Sequence, residues 1–239
     1  MEQEISEIKH RMTITGESFD GNCRIYQGKF GDRDGILVLT GMGKENAVRA
    51  ADLVLKRFQI SLIISTGVSG ALNSRTESGD FVLCTSIKCG DVAAEPVNSN
   101  TQLLFLAENT LHKSGKRKLV GSGISITEVC STPASKIKLG EDSVADVVDM
   151  ESYWLCKAAS GRKIPFVVIR PVFDTVRDDV TSLSRITTGG KVIPSKLAAG
   201  LFAHPGMTAE LIRYGNTTRK LAKSLADFIY EYIEVLPQG

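Results

Sequence analysis

Two rhythms of apolar and polar residues alternate along the chain and predict strands and helices in turn. Residues 24–27 and 36–40 are short strand-like runs around the turn Gly31-Asp32-Arg33-Asp34-Gly35, which predicts a hairpin. Beyond Gly41-Met42-Gly43-Lys44, Ala47, Ala51, Val54 and Phe58 share one face of a helix over residues 45–58. Residues 62–65 form a short buried strand that ends in the small-residue run Thr66-Gly67-Val68-Ser69-Gly70. Strands are expected at 80–87, 118–127, 144–149 and 165–171, and helices at 101–113, 133–139 and 151–160. Pro133 suits the first turn of its helix. The polar stretch 175–191 has no clear period. A long amphipathic helix closes the chain, with Leu211, Tyr214, Thr218, Leu221, Leu225, Phe228 and Tyr232 along one stripe.

Alternating elements with continuously apolar strands predict an α/β fold, a mixed central sheet with helices on both faces. No Pro, Gly or Ser-rich linker divides the chain, so residues 1–239 read as one domain. In such sheets ligands bind beyond the carboxyl ends of strands. That rule selects the positions after Thr40 and Ser65, the triplet Asp149-Met150-Glu151, and Phe173-Asp174.

Composition narrows the classes. With 29 Lys+Arg against 27 Asp+Glu, the formal net charge is +2, which gives no footprint of a nucleic-acid binder. The apolar runs are too short for a membrane span, and the charged start MEQEISEIKH lacks a signal-peptide core. A cytoplasmic protein is expected. The five cysteines, Cys23, Cys84, Cys89, Cys130 and Cys156, are scattered and form no CxxC pair, and there are three histidines. Reduced, mostly buried thiols are expected, and a zinc site of ordinary spacing is not.

Asp149 and Glu151 flank Met150 where an apolar strand turns into a helix. A carboxylate there either favours the helix N-terminus or faces a pocket and accepts hydrogen bonds from sugar hydroxyls. Asp174 follows a buried strand. It reads either as a cap or as the partner of Arg170 or Arg177. In a desolvated pocket it would instead hold a raised pKa and donate a proton. Gly41-Met42-Gly43-Lys44 is an incomplete dinucleotide fingerprint, with no third glycine and no acidic residue about 20 positions on. That disfavours an oxidoreductase. The run Thr66–Gly70 offers backbone amides to a ligand, or allows close packing.

Taken in order, Met1-Glu2-Gln3-Glu4-Ile5, Gly41-Met42-Gly43-Lys44, Thr66-Gly67-Val68-Ser69-Gly70, Val148-Asp149-Met150-Glu151-Ser152 and Val168-Ile169-Arg170-Pro171-Val172-Phe173-Asp174 resemble the nucleoside phosphorylase/nucleosidase superfamily. Within it they look most like methylthioadenosine/S-adenosylhomocysteine nucleosidases. The segment Ser131-Thr132-Pro133-Ala134-Ser135-Lys136 and the pair His204-Pro205 also resemble the hopanoid-associated phosphorylase branch. The resemblance implies that Met150 and Glu151 hold the ribose, that Asp174 protonates the purine at N7, and that Glu4 positions or deprotonates the attacking water. It puts Glu128 and Val129 in the base-stacking segment, with Thr66, Gly67, Val68 and Phe173 lining the substrate. It further implies a small-molecule nucleoside as ligand, chemistry that requires no metal or organic cofactor, and a homo-oligomer, dimer or higher.

Water is the expected nucleophile. Phosphorylases of the superfamily keep an arginine and a hydroxyl at the small-residue strand end, where this chain has Ser65 and Val68. Glu2 and Glu4 in the first loop would repel phosphate, although Lys44 remains a candidate anion contact. Val68 and Phe173 depart from the serines common in the nucleosidases. The family's first strand precedes its glutamate loop, and only Met1-Glu2-Gln3 precede Glu4 here. The expectation is therefore either a chain shortened before that strand or a fold lacking it, with Glu4 in an unanchored loop. The alternatives are a phosphorylase acting on an adenosyl-lipid and a nucleoside-binding relative without turnover.

Overall fold

A computed structural model describes residues 2–188, 191–192 and 207–237. Helix α1 (Glu2–Lys9) is followed by an antiparallel meander of β1 (Thr13–Asp20), β2 (Cys23–Phe30) and β3 (Arg33–Leu39). The expected hairpin is thus β2–β3. Its turn is tighter than the five residues read from sequence, because Gly31 at φ +59° lets two residues reverse the chain. Strand β1 was not expected, since TITGESFD has few apolar residues and lies half exposed.

The central sheet holds β4 (Ile63–Thr66), β5 (Ser69–Ala71), β6 (Phe81–Cys89), β7 (Val97–Asn98), β8 (Lys118–Ser125), β9 (Val147–Asp149) and β10 (Phe166–Asp174). Their order is β4-β10-β5-β9-β8-β6-β7, with β6 also pairing antiparallel to β10. Along one edge of β10, β4 pairs first and β5 after it, both parallel. The break between them faces Pro171, the residue of β10 that has no N–H to offer.

Alternation along the strands builds two cores. Phe81 and Leu83 of β6, with Val167 and Ile169 of β10, face α1, α3 (Thr101–Lys113) and α7 (Met207–Val235). Val82 and Cys84, with Phe166, Val168 and Val172, face α5 (Ser152–Gly161). Period-two burial feeding both faces produces the expected three layers. Helix α2 (Lys44–Arg57) packs beside α5, and α4 (Pro133–Ser143) follows β8. In α7, Leu221, Leu225, Phe228 and Tyr232 are buried as the stripe predicted, and Tyr232 donates to the Leu103 carbonyl at 2.8 Å.

Two expectations are corrected. Residues 2–9 form a helix and not a loop, anchored because Ile5 and Ile8 lie on one face and pack with Met12 into the first core. Arg11 adds an ion pair to Asp227 on α7. The stretch 175–191 contains helix α6 (Thr181–Ile186), and β11 (Thr187–Thr188) pairs with β12 (Lys191–Val192). The His204-Pro205 pair lies outside the described residues. Among the described residues, no helix is long and apolar enough to cross a membrane. All five cysteines are free, with Cys23, Cys84 and Cys156 buried.

Candidate active site

The break in the β4–β5 edge sets the floor of the site. Gly67 there has φ +147°, and a Cβ would stand 2.7 Å from Nη1 of Arg170. Only glycine suits both constraints. Arg170 is 3% exposed, so its charge needs full compensation. Its Nε lies 2.8 Å from Asp149 Oδ2, and its Nη2 donates to Ser65 Oγ at 3.1 Å. Nε also reaches Ser152 Oγ at 3.0 Å. Ser65, in the slot where phosphorylases keep an arginine, therefore accepts from an arginine on the neighbouring strand.

The two carboxylates around Met150 divide the roles the sequence left open. Asp149 takes the helix: its Oδ1 accepts from the N–H groups of Glu151 at 3.2 Å and Ser152 at 3.1 Å, and from Ser125 Oγ. Glu151 makes no side-chain capping bond. Its Oε1 accepts from the Gly43 N–H at 2.7 Å, which ties the GMGK turn to the β9 strand end. Burial, reinforced by the negative charge of Asp149, raises the Glu151 carboxyl above the usual range.

Asp174, at the end of β10, is 8% exposed. Neither arginine considered from the sequence is its partner, because Arg170 is committed to Asp149 and Arg177 to Glu77 at 3.3 Å. It pairs instead with the buried Lys136 of α4. Desolvation raises its pKa, and Lys136 only partly opposes that. Gly70 makes room for the carboxyl, since a Cβ there would meet Oδ2 at 3.2 Å.

One cavity of about 2100 Å3 collects these groups. Its wall includes Thr66, Gly67, Val68, Glu128, Val129, Met150, Glu151, Phe173 and Asp174. Thr66 contributes backbone, because its hydroxyl donates to the Ile169 carbonyl at 2.9 Å. The Phe173 ring packs on Tyr214 of α7, with centroids 5.7 Å apart. Glu4 lies in the first turn of α1, and Ile8, one turn further along that helix, lines the cavity. The Glu4 side chain is outside the described residues.

Among the described residues, the cations on the cavity wall are Arg33 and Arg170. Arg33 donates to the Pro237 and Glu234 carbonyls at 3.1 and 3.2 Å. Lys44, the candidate anion contact, stacks its ammonium over Trp154, 4.3 Å from the ring centroid. Among the described residues, no group of three or more His, Cys, Asp or Glu is placed to hold a metal ion.

Three participants escaped the sequence reading: Lys136, the Gly43 N–H and Tyr214. Lys136 had a signal, since a lysine in the first turn of a helix opposes the helix dipole and needs another reason to be there.

The fold is that of a three-layer α/β protein with its site at broken strand ends. The family model described as the phosphorylase superfamily matches residues 1–190, and the chain belongs to that superfamily. Among curated proteins it is similar to the 5'-methylthioadenosine/S-adenosylhomocysteine nucleosidase of Staphylococcus haemolyticus, 25% identical over 189 residues, covering 73% of this chain and 83% of that protein. The Staphylococcus carnosus protein of the same name is 27% identical over 192 residues, covering 73% and 83%. In fold it is similar to the Neisseria meningitidis nucleosidase of that name in complex with methylthio-immucillin-A, with TM-score 0.80, 20% identity, and 99% and 96% of the two chains covered. The futalosine hydrolase of Helicobacter pylori gives TM-score 0.79 at 16% identity, with 99% and 95% covered.

Proposed function

We propose that this protein is a purine nucleosidase, hydrolysing the N-glycosidic bond of an adenosine-type nucleoside related to methylthioadenosine or S-adenosylhomocysteine. The observation that carries this reading is the pair of desolvated carboxyls, Glu151 and Asp174, on one cavity wall at the ends of β9 and β10. The names of its sequence relatives support the same class.

Cleavage passes through a cationic, oxocarbenium-like sugar and leaves electron density on the departing purine. Asp174, with its raised pKa, donates its proton to N7 of the base. Glu151, fixed by the Gly43 N–H, accepts hydrogen bonds from ribose hydroxyls and sets a negative charge beside the developing cation. Met150 packs on the sugar, while Phe173, Glu128 and Val129 border the base. Glu4 activates the water. This role rests on the resemblance of the MEQEI segment, and is favoured by Ile8 lining the cavity one turn along the same helix.

Water is preferred to phosphate because both cavity-lining arginines among the described residues are already engaged, and the remaining charges on the wall are carboxylates. The test is incubation with methylthioadenosine, S-adenosylhomocysteine, adenosine and inosine, with and without phosphate, reading the free base by chromatography. Adenine released without phosphate is the expected result. Binding without release in calorimetry would replace the enzyme by a nucleoside-binding protein. The same reading implies a cytoplasmic location and a homo-oligomer, and sedimentation of the purified chain tests the oligomer.

A further inference from the structure

Among the described residues, Lys136 is the most deeply buried charged side chain. Its side chain is fully buried, and it stands in the first turn of α4, where the helix dipole repels a cation. The helix start is otherwise well made. Thr132 Oγ1 accepts from the Ser135 N–H at 3.2 Å, Ser135 Oγ accepts from the Thr132 N–H at 3.2 Å, and Pro133 fills the first turn. A lysine adds nothing to that cap. Its ammonium instead crosses to the end of β10, where it finds two carbonyl acceptors and one carboxylate partner. Nζ donates to the Thr175 carbonyl at 3.0 Å and the Asp178 carbonyl at 2.6 Å, and pairs with Asp174 Oδ2.

The pairing is one-sided. Asp174 Oδ2 is fully buried, whereas the side chain as a whole keeps 11% exposure and lines the cavity. With Oδ2 claimed by the ammonium, the carboxyl proton belongs on Oδ1. We propose that Lys136 is the positioning residue of the general acid: it orients the Asp174 carboxyl and strengthens it as a proton donor. This rests on the assignment of Asp174 as that acid. When the proton passes from Oδ1 to the purine nitrogen, the carboxylate left behind is neutralised by an ammonium already in place, and Lys136 keeps all its hydrogens. Burial alone would make Asp174 a reluctant acid; the adjacent cation returns part of its acidity.

Other charges facing the pair are accounted for. Asp178, beside Thr175, opposes ionisation of Asp174, but it is itself paired with Arg213 of α7 at 3.1 Å. Glu151 and Glu128 share the cavity wall with Asp174. Lys136 is thus the cation in direct contact with Asp174 among the described residues.

The test compares wild type with Lys136→Gln, Lys136→Met and Lys136→Arg. Gln keeps donors for the two carbonyls without the charge, so a folded variant is available if Met unfolds the chain. The pH profile of kcat and the 13C-carboxyl titration of Asp174 by NMR are both read. The expected result in Lys136→Gln is a carboxyl pKa, and a basic limb of kcat, raised by about 1 to 3 pH units, since an opposite charge at this range lowers a carboxyl by that amount. The acid-side plateau of kcat falls by about tenfold or more, KM changes little, and Lys136→Arg restores the limb. A carboxyl titration unchanged in folded Lys136→Gln overturns the proposal. If the carboxyl shifts while Asp174→Asn stays fully active, the pairing stands and the acid assignment fails instead.

Discussion

The cavity has two kinds of wall. At the strand ends, Glu151 and Asp174 carry desolvated carboxyls, the first held by the Gly43 N–H and the second paired with Lys136. Along β3, β4 and α7 the wall is aliphatic, with Ile36, Leu37, Ile63, Ile64, Ile229 and Ile233. The first wall keeps charge out of water at a cost to stability. The second supplies the apolar burial that offsets it. The carboxyls proposed for the chemistry sit where strands end, and the aliphatic groups that hold the fold sit where strands and helices run on.

Substitutions at the two walls should separate activity from stability. Asp174→Asn removes the acid and is expected to lower kcat by about 10²- to 10⁴-fold, measured as base release. In the wild type, kcat should fall as pH rises through the raised pKa of Asp174, because the protonated form is the active one. Glu4→Gln should lower kcat by about 10²-fold at unchanged KM if Glu4 activates water. A wild-type rate would remove it from the reaction.

Glu151→Gln should weaken activity by a similar factor while stabilising the fold by about 1 kcal/mol at neutral pH. The sign follows from its raised folded-state pKa. Such a carboxyl favours folding most at low pH and loses that contribution as pH rises through the folded value. Gln keeps an oxygen for the Gly43 N–H without the charge. On the aliphatic wall, Ile229→Ala should cost about 2 to 5 kcal/mol in denaturant melts and leave the rate per folded molecule near wild type. If it instead abolishes turnover while stability holds, the division between the walls fails.

The sequence made the architecture legible wherever burial was regular. The helix over residues 101–113 is found as read, because Asn100 caps it and its apolar face is continuous. The stripe of α7 is equally plain. Strand β1 was hidden because it is half exposed and poor in apolar residues. The motif residues from Thr66 to Asp174 could be placed on one site because strand ends gather at one side of a sheet. Their division of labour was not legible. Whether Asp149 or Glu151 serves the helix depends on which side chain reaches back to the N–H groups, and only the folded backbone decides that. The partner of Asp174 was misjudged for a similar reason. Arg170 and Arg177 are its neighbours in sequence, whereas Lys136 arrives from another helix.

The central claim is that water, activated at an acidic site, cleaves the glycosidic bond. It is tested most directly by the initial rate of adenine release from methylthioadenosine as a function of phosphate concentration. Full rate in phosphate-free buffer, flat as phosphate is added, is the predicted result. A rate that is nil without phosphate and rises in proportion to it would contradict the account.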